Sequence, residues 1–142
     1  MFTLRALYLC LSLWPRLHEP PRSRCLAAAE ASLAAAETHK VDPATLLAIG
    51  WRESRWSYQR SASGACGAWQ VVGVDCGSVR DLPAAADAGA RVLAAWQRAA
   101  ARRHLPERRA VAAYACGWSG LRGRGCRWYS ASVSRMTQGV NL

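Results

Sequence analysis

Residues 41–54 read "VDPATLLAIGWRES". Asp42 is a good helix N-cap, and Pro43 is suited to the first helical position. Counting on, Leu46, Ile49 and Gly50 precede Glu53 by seven, four and three residues. At about 100° per residue these four share one helical face. Glu53 therefore ends an apolar stripe one turn past its hydrophobic part. A charged residue fraying at a helix end, paired with Arg52 or Arg55, gives the same spacing. The spacing leaves both readings open.

Working outward, four or five helices can be read, and no alternating strand pattern accompanies them. The first is the alanine-rich "CLAAAEASLAAAETH", residues 25–39. The second carries Glu53. Residues 57–82 lose helical periodicity and hold Gly64, Gly67, Gly73 and Gly77 among serines, which reads as loop. A third helix begins near Pro83, with Arg91, Arg98 and Arg102 on one face. A fourth runs from Pro106 to about Cys116. "GWSGLRGRG" reads as a glycine-rich turn, and "CRWYSASVSRMTQ" as a shorter last helix. The glycine-rich loops lack the lysine of a phosphate loop, so nucleotide binding has no support.

The chain of 142 residues suffices for one domain with a moderate core. It is 51% hydrophobic, much of it alanine, which points to closely packed helices. Nineteen Lys+Arg against nine Asp+Glu give a formal charge of +10, and Lys40 is the only lysine. Such a surface suits a polyanion: nucleic acid, anionic lipid or an acidic cell wall. The arginines are spread from Arg5 to Arg135 with no recognisable nucleic-acid motif, so no nucleic-acid partner is expected.

Six cysteines are many for this length: Cys10, Cys25, Cys66, Cys76, Cys116 and Cys126. None has zinc-knuckle spacing, and His18, His39 and His104 do not cluster beside them. Disulfides in an oxidising compartment are the more economical reading, buried thiols the alternative. The four cysteines from Cys66 onward allow three pairings. Cys66–Cys76 and Cys116–Cys126 each close a short loop, and Cys66–Cys116 competes with them. Cys25 pairs with Cys10 only if the N-terminus is retained.

Arg5 followed by "ALYLCLSLW" has the length of a signal-peptide core and is too short to span a membrane. The prolines of "PRLHEPPRSR" stop a continuing helix. Residues 1–24 are read as a signal peptide or disordered segment outside the fold, and 25–142 as one domain of an exported protein.

Three stretches then line up: Glu53-Ser54 at a helix end, "GACGAWQ" at 64–70, and "AVAAYACG" at 110–117. In this order they resemble the lytic transglycosylase family, with its E-S pair, G-x-x-G-x-x-Q and A-A-Y-N-A-G. Gly89 to Leu93 is similar to the family's intervening G-x-x-x-L step. The resemblance covers roughly residues 25–120. It departs at Ala115, where asparagine is expected, at Cys116, and at "VVGVDC", which lacks a proline after Gln70.

The resemblance implies a mainly α, goose-type-lysozyme-like domain with glycine-rich active-site loops, located in the periplasm or cell envelope. It implies cleavage of the bond between N-acetylmuramic acid and N-acetylglucosamine in peptidoglycan. Glu53 would be the single acid/base, with Trp69, Gln70 and Tyr114 touching substrate, Ser54 binding either substrate or the neighbouring backbone, and no metal or cofactor. Tyr114 would orient the Glu53 carboxyl, Trp69 would offer an indole platform or equally pack in the core, and Trp118 would flank the groove. The expected partners are peptidoglycan strands, with anionic envelope polymers or a secretion or phage assembly beyond them, and the protein is expected to be a monomer. A lysozyme-type hydrolase and a non-catalytic glycan-binding module on the same fold are the alternatives. Hydrolysis would ask for a second carboxylate, and Asp75 is the one candidate near the Gln70 stretch.

Overall fold

A computed structural model describes residues 2–142. The described chain is mainly helical. Its α-helices are α1 (Leu4–Leu13), α2 (Arg22–His39), α3 (Pro43–Ser54), α4 (Leu82–Ala101), α5 (Glu107–Cys116), α6 (Trp118–Leu121) and α7 (Arg127–Thr137). Short 3₁₀ turns cover Trp14–Arg16 and Cys76–Val79.

The central element is α3. Its start is fixed as the sequence asks: the Asp42 carboxylate accepts from the Thr45 N–H at 2.8 Å, with Pro43 in the first turn. From Leu46 to Trp51 every residue is buried. The small residues of α2 and α4, which pack on each other as well as on α3, supply much of the surrounding layer: Ala28, Ala29, Ala35 and Ala36 from α2, and Ala85, Ala86, Gly89 and Ala90 from α4. Short side chains let these helix backbones approach closely, which explains the alanine content. The Asp81 side chain caps α4 through the Ala84 N–H. Asp87 binds His39 at 2.6 Å and Arg91 at 2.8 Å, tying the end of α2 to α4. A smaller core joins α4, α5 and α6 through Ala99, Ala100, Ala110, Ala113 and Leu121.

Two regions differ from expectation. Residues 2–24 do not lie outside the fold. Ala6, Leu9, Cys10 and Leu13 recur at helical spacing, and the face they form is buried in the main core with Leu17. A Cys10–Cys25 disulfide fastens α1 to α2. The prolines end α1 as anticipated, but they turn the chain back onto the body. "GWSGLRGRG" is not all turn either. Gly117 (φ +59°) breaks α5, and the next four residues form one helical turn closed by Leu121 N–H to Gly117 O. No helix among the described residues is long and apolar enough to cross a membrane.

All six cysteines are paired: Cys10–Cys25, Cys66–Cys76 and Cys116–Cys126. The local pattern is the one formed, and Cys66–Cys116 is not. The 55–81 connection is an ordered loop. Isolated bridges of Cys66 with Arg60 and with Val71 fold it on itself, and bonds of Trp69 to the Leu46 carbonyl and of Ser54 to the Ala68 carbonyl hold it to α3.

Candidate active site

Glu53 lies in the last turn of α3. Arg55 and Trp56 follow it in the left-handed conformation (φ +56° and +58°), and their N–H groups fold back on the Trp51 and Gly50 carbonyls. This ends the helix sharply and leaves Glu53 partly buried. Burial raises its pKa above the usual carboxylate value, because desolvation opposes ionisation. A hydrogen bond from Tyr129 and the charge of Arg52 act against that rise without cancelling it.

The Tyr129 hydroxyl donates to Glu53 Oε1 at 2.6 Å. Tyr129 opens α7, and with Val133 and Met136 it forms that helix's buried stripe. Tyr114, the expected orienting residue, is a neighbour in another role. Its hydroxyl donates to the Trp69 carbonyl at 2.7 Å and so ties α5 to the 55–81 loop. Burial and the Glu53 charge push both phenols well above the usual tyrosine range, so each stays protonated and acts as a donor.

Two of the other residues expected to touch substrate are internal. Trp69 is fully buried and offers no sugar platform. Its indole N–H donates to the Leu46 carbonyl at 2.7 Å, and the ring lies between Gly50 and Gly89. A Cβ at either glycine would come within 2.7 Å of the ring. The glycines on α3 and α4 are thus the slot for one indole. Ser54, also buried, donates to the Ala68 carbonyl at 2.6 Å and accepts from the Ser57 N–H at 3.0 Å. It holds the loop to the end of α3.

Gln70 remains at the surface of the site. Gly64, Gly67 and Gln70 all have positive φ, and this is what the G-x-x-G-x-x-Q spacing provides here. The Gln70 amide nitrogen donates to the Gln59 and Gly67 carbonyls, both at 2.9 Å, which fixes its orientation.

Glu53 stands where two clefts meet. One, of about 470 Å³, has Gln70, Tyr114, Trp128 and Tyr129 among its lining residues. The other, of about 750 Å³, extends past Trp51 and Arg52 toward Arg135. Among the described residues, Glu53 is the only Asp or Glu lining either. Asp75 lines neither; it precedes the Cys76–Val79 turn and is exposed. Trp118 also lines neither, and stacks edge-on with Trp96 at 5.2 Å.

The sequence reading missed Tyr129 and Trp128. A signal for Tyr129 existed in "YSASVSRM", where Tyr129, Val133 and Met136 stand four and seven residues apart and Tyr129 heads the stripe. Trp128 is exposed, with the Arg52 guanidinium 5.1 Å from its ring centre. No protein-family model, curated protein or solved structure matches this chain.

Proposed function

We propose that this protein is an exported peptidoglycan lytic transglycosylase, cleaving the bond between N-acetylmuramic acid and N-acetylglucosamine with Glu53 as its single acid/base. One observation carries the reading: a half-buried carboxyl with a raised pKa, hydrogen-bonded by a tyrosine, is the only carboxyl among the described residues on a two-armed cleft. Three disulfides suit an oxidising compartment outside the cytoplasm.

Protonated Glu53 gives its proton to the glycosidic oxygen as the C1–O bond breaks. The muramic acid C6 hydroxyl then attacks its own C1, and the Glu53 carboxylate takes the hydroxyl proton. A 1,6-anhydro ring forms, and Glu53 ends protonated as it began. The second carboxylate of a hydrolase is not needed, since the nucleophile is already held beside the reacting carbon. Tyr129 supports the carboxylate during the interval in which it is charged. Gln70 offers its carbonyl oxygen to a sugar amide or hydroxyl. The lytic transglycosylase resemblance in Glu53-Ser54, "GACGAWQ" and "AVAAYACG" points to the same chemistry.

Mass spectrometry of digested peptidoglycan tests this. Anhydro-muramic ends, one water lighter than reducing ends, are expected. A digest dominated by reducing ends would make the protein a lysozyme-type hydrolase. Glycan binding with no products would make it a non-catalytic module.

A further inference from the structure

The two arms of the cleft differ in charge. The Gln70 arm presents hydroxyls, an amide and aromatic rings, with Arg52 at its boundary. Arg16, His18, Arg52, Arg55 and Arg135 are among the residues lining the larger arm, and Glu53 is its only acid among the described residues. These cations come from three separate segments: the turn after α1, the end of α3 and the end of α7. Both ion pairs among the described residues use Asp87, so none of the four guanidiniums is paired with a carboxylate. Several are nonetheless held in place. Arg16 Nη1 donates to the Met136 carbonyl at 3.0 Å. Arg55 lies 5.6 Å from the centre of the Trp51 ring, and Arg52 lies over Trp128.

Gathering like charges around one concavity is unfavourable unless an anion offsets it. A neutral sugar needs hydrogen-bonding partners but gives no use for four guanidiniums. We propose that this arm binds an anionic substituent carried by the glycan strand, a carboxylate or a phosphate, beside the bond that Glu53 attacks. The inference rests on the glycan-cleaving reading above and adds a charge requirement to it. Planar guanidiniums suit either oxyanion through paired N–H donors. The arm then separates acidic wall strands from neutral chitin-like strands, and the turn after α1 contributes to that choice.

The test uses the full oxidised chain carrying Glu53→Gln, so that nothing is turned over during calorimetry. The probes are an N-acetylglucosamine hexamer, peptidoglycan strands bearing stem peptides, and strands bearing glycerol phosphate. Arg55→Gln/Arg135→Gln is expected to weaken binding of at least one acidic strand about tenfold and to leave the hexamer unchanged. Loss on the peptide-bearing strand alone identifies carboxylate, and loss on the phosphate-bearing strand alone identifies phosphate. Arg55→Lys/Arg135→Lys should recover only part of the affinity, since lysine restores the charge but not the paired donors. Should the double variant fold poorly, Arg135→Gln alone, at an exposed helix end, is expected to show a smaller loss of the same kind. Unchanged affinity for both acidic strands, or equal loss on the hexamer, overturns the anionic arm and leaves the cleavage reading intact. Failure of the parent to bind any strand removes the cleavage reading itself. Tighter binding of duplex DNA, abolished by the same double variant, would make the arm a nucleic-acid surface and overturn the proposal.

Discussion

The Tyr129 hydroxyl reaches Glu53 Oε1 across 76 positions of sequence. Each residue stands at the end of a buried helical stripe, Glu53 closing that of α3 and Tyr129 opening that of α7. The packing of α7 on α3 thus brings together an acid and its donor. The hydrogen bond favours the ionised carboxyl, opposing the larger effect of burial. Tyr129→Phe is expected to lower kcat about tenfold by loosening the carboxyl and leaving its charge less supported. It should also raise the Glu53 pKa further, moving the alkaline limb of the kcat/KM profile to higher pH. A rate loss with an unmoved limb would mean that Tyr129 merely packs.

Glu53→Gln is expected to lower the rate by about 10² or more, since proton transfer is lost while shape is kept. It should also stabilise the fold at neutral pH. Burial raises the Glu53 pKa in the folded state above the ordinary carboxyl value it has in the unfolded chain. Between the two values the folded chain holds more protons than the unfolded chain, so stability falls as pH rises through that window. Glutamine does not titrate and avoids the loss. Melting curves should show the variant above the parent near pH 7, with that difference shrinking below about pH 4. A variant that melts lower at neutral pH would argue against a carboxyl strained by burial.

Gly50→Ala and Gly89→Ala test the Trp69 slot. Alanine improves helix propensity by about 1 kcal/mol over glycine. Here its Cβ would meet the indole at 2.7 Å from either side, and overpacking of this kind costs about 1–3 kcal/mol. Net destabilisation is expected for each in urea titration. Trp69→Leu, destabilising alone, should make either alanine less harmful, because the obstructing ring is gone. Simple additivity in this double-mutant cycle would show that the glycines serve another purpose.

The sequence made α2 to α5 and α7 legible because their caps, prolines and apolar spacing are local signals. Asp42-Pro43 predicted the start of α3, while the stripe ending at Glu53 left open whether its acid is partly buried or fraying, and the fold decides for burial. The place of α1 was not legible. Arg5 and the run after it carry the pattern of an export signal, and the same pattern also makes a core helix. Only tertiary packing and the Cys10–Cys25 bond separate the two. Trp69 and Ser54 each carried two readings, because an aromatic or a hydroxyl in such a stretch has the same spelling whether it faces a ligand or the protein interior, and the interior reading is the one formed. Tyr114 was given the role that Tyr129 holds, since the distance between α3 and α7 is set by packing that no local pattern encodes. The cationic arm was hidden for the same reason: Arg16, Arg55 and Arg135 are scattered in sequence and converge only in the fold.

The disulfides support different parts of the cleft, and cutting them should give different defects. Cys66–Cys76 spans ten residues of the loop carrying Gln70, and Cys10–Cys25 spans fifteen and anchors α1 ahead of Arg16. By loop-closure entropy each contributes roughly 2.5–3 kcal/mol, so the two losses in stability should be similar. Their functional consequences should not be. Cys66→Ala/Cys76→Ala frees the loop that orients Gln70 through the Gln59 and Gly67 carbonyls, and should raise KM for neutral and acidic strands alike. Cys10→Ala/Cys25→Ala loosens the turn that presents Arg16 and His18, and should raise KM chiefly for acidic strands. Urea titration gives the stabilities, and steady-state kinetics on strands before and after chemical amidation of their carboxylates gives the split. Identical kinetic defects in both variants would mean that the bonds act only through global stability, and that the turn after α1 has no part in choosing the strand.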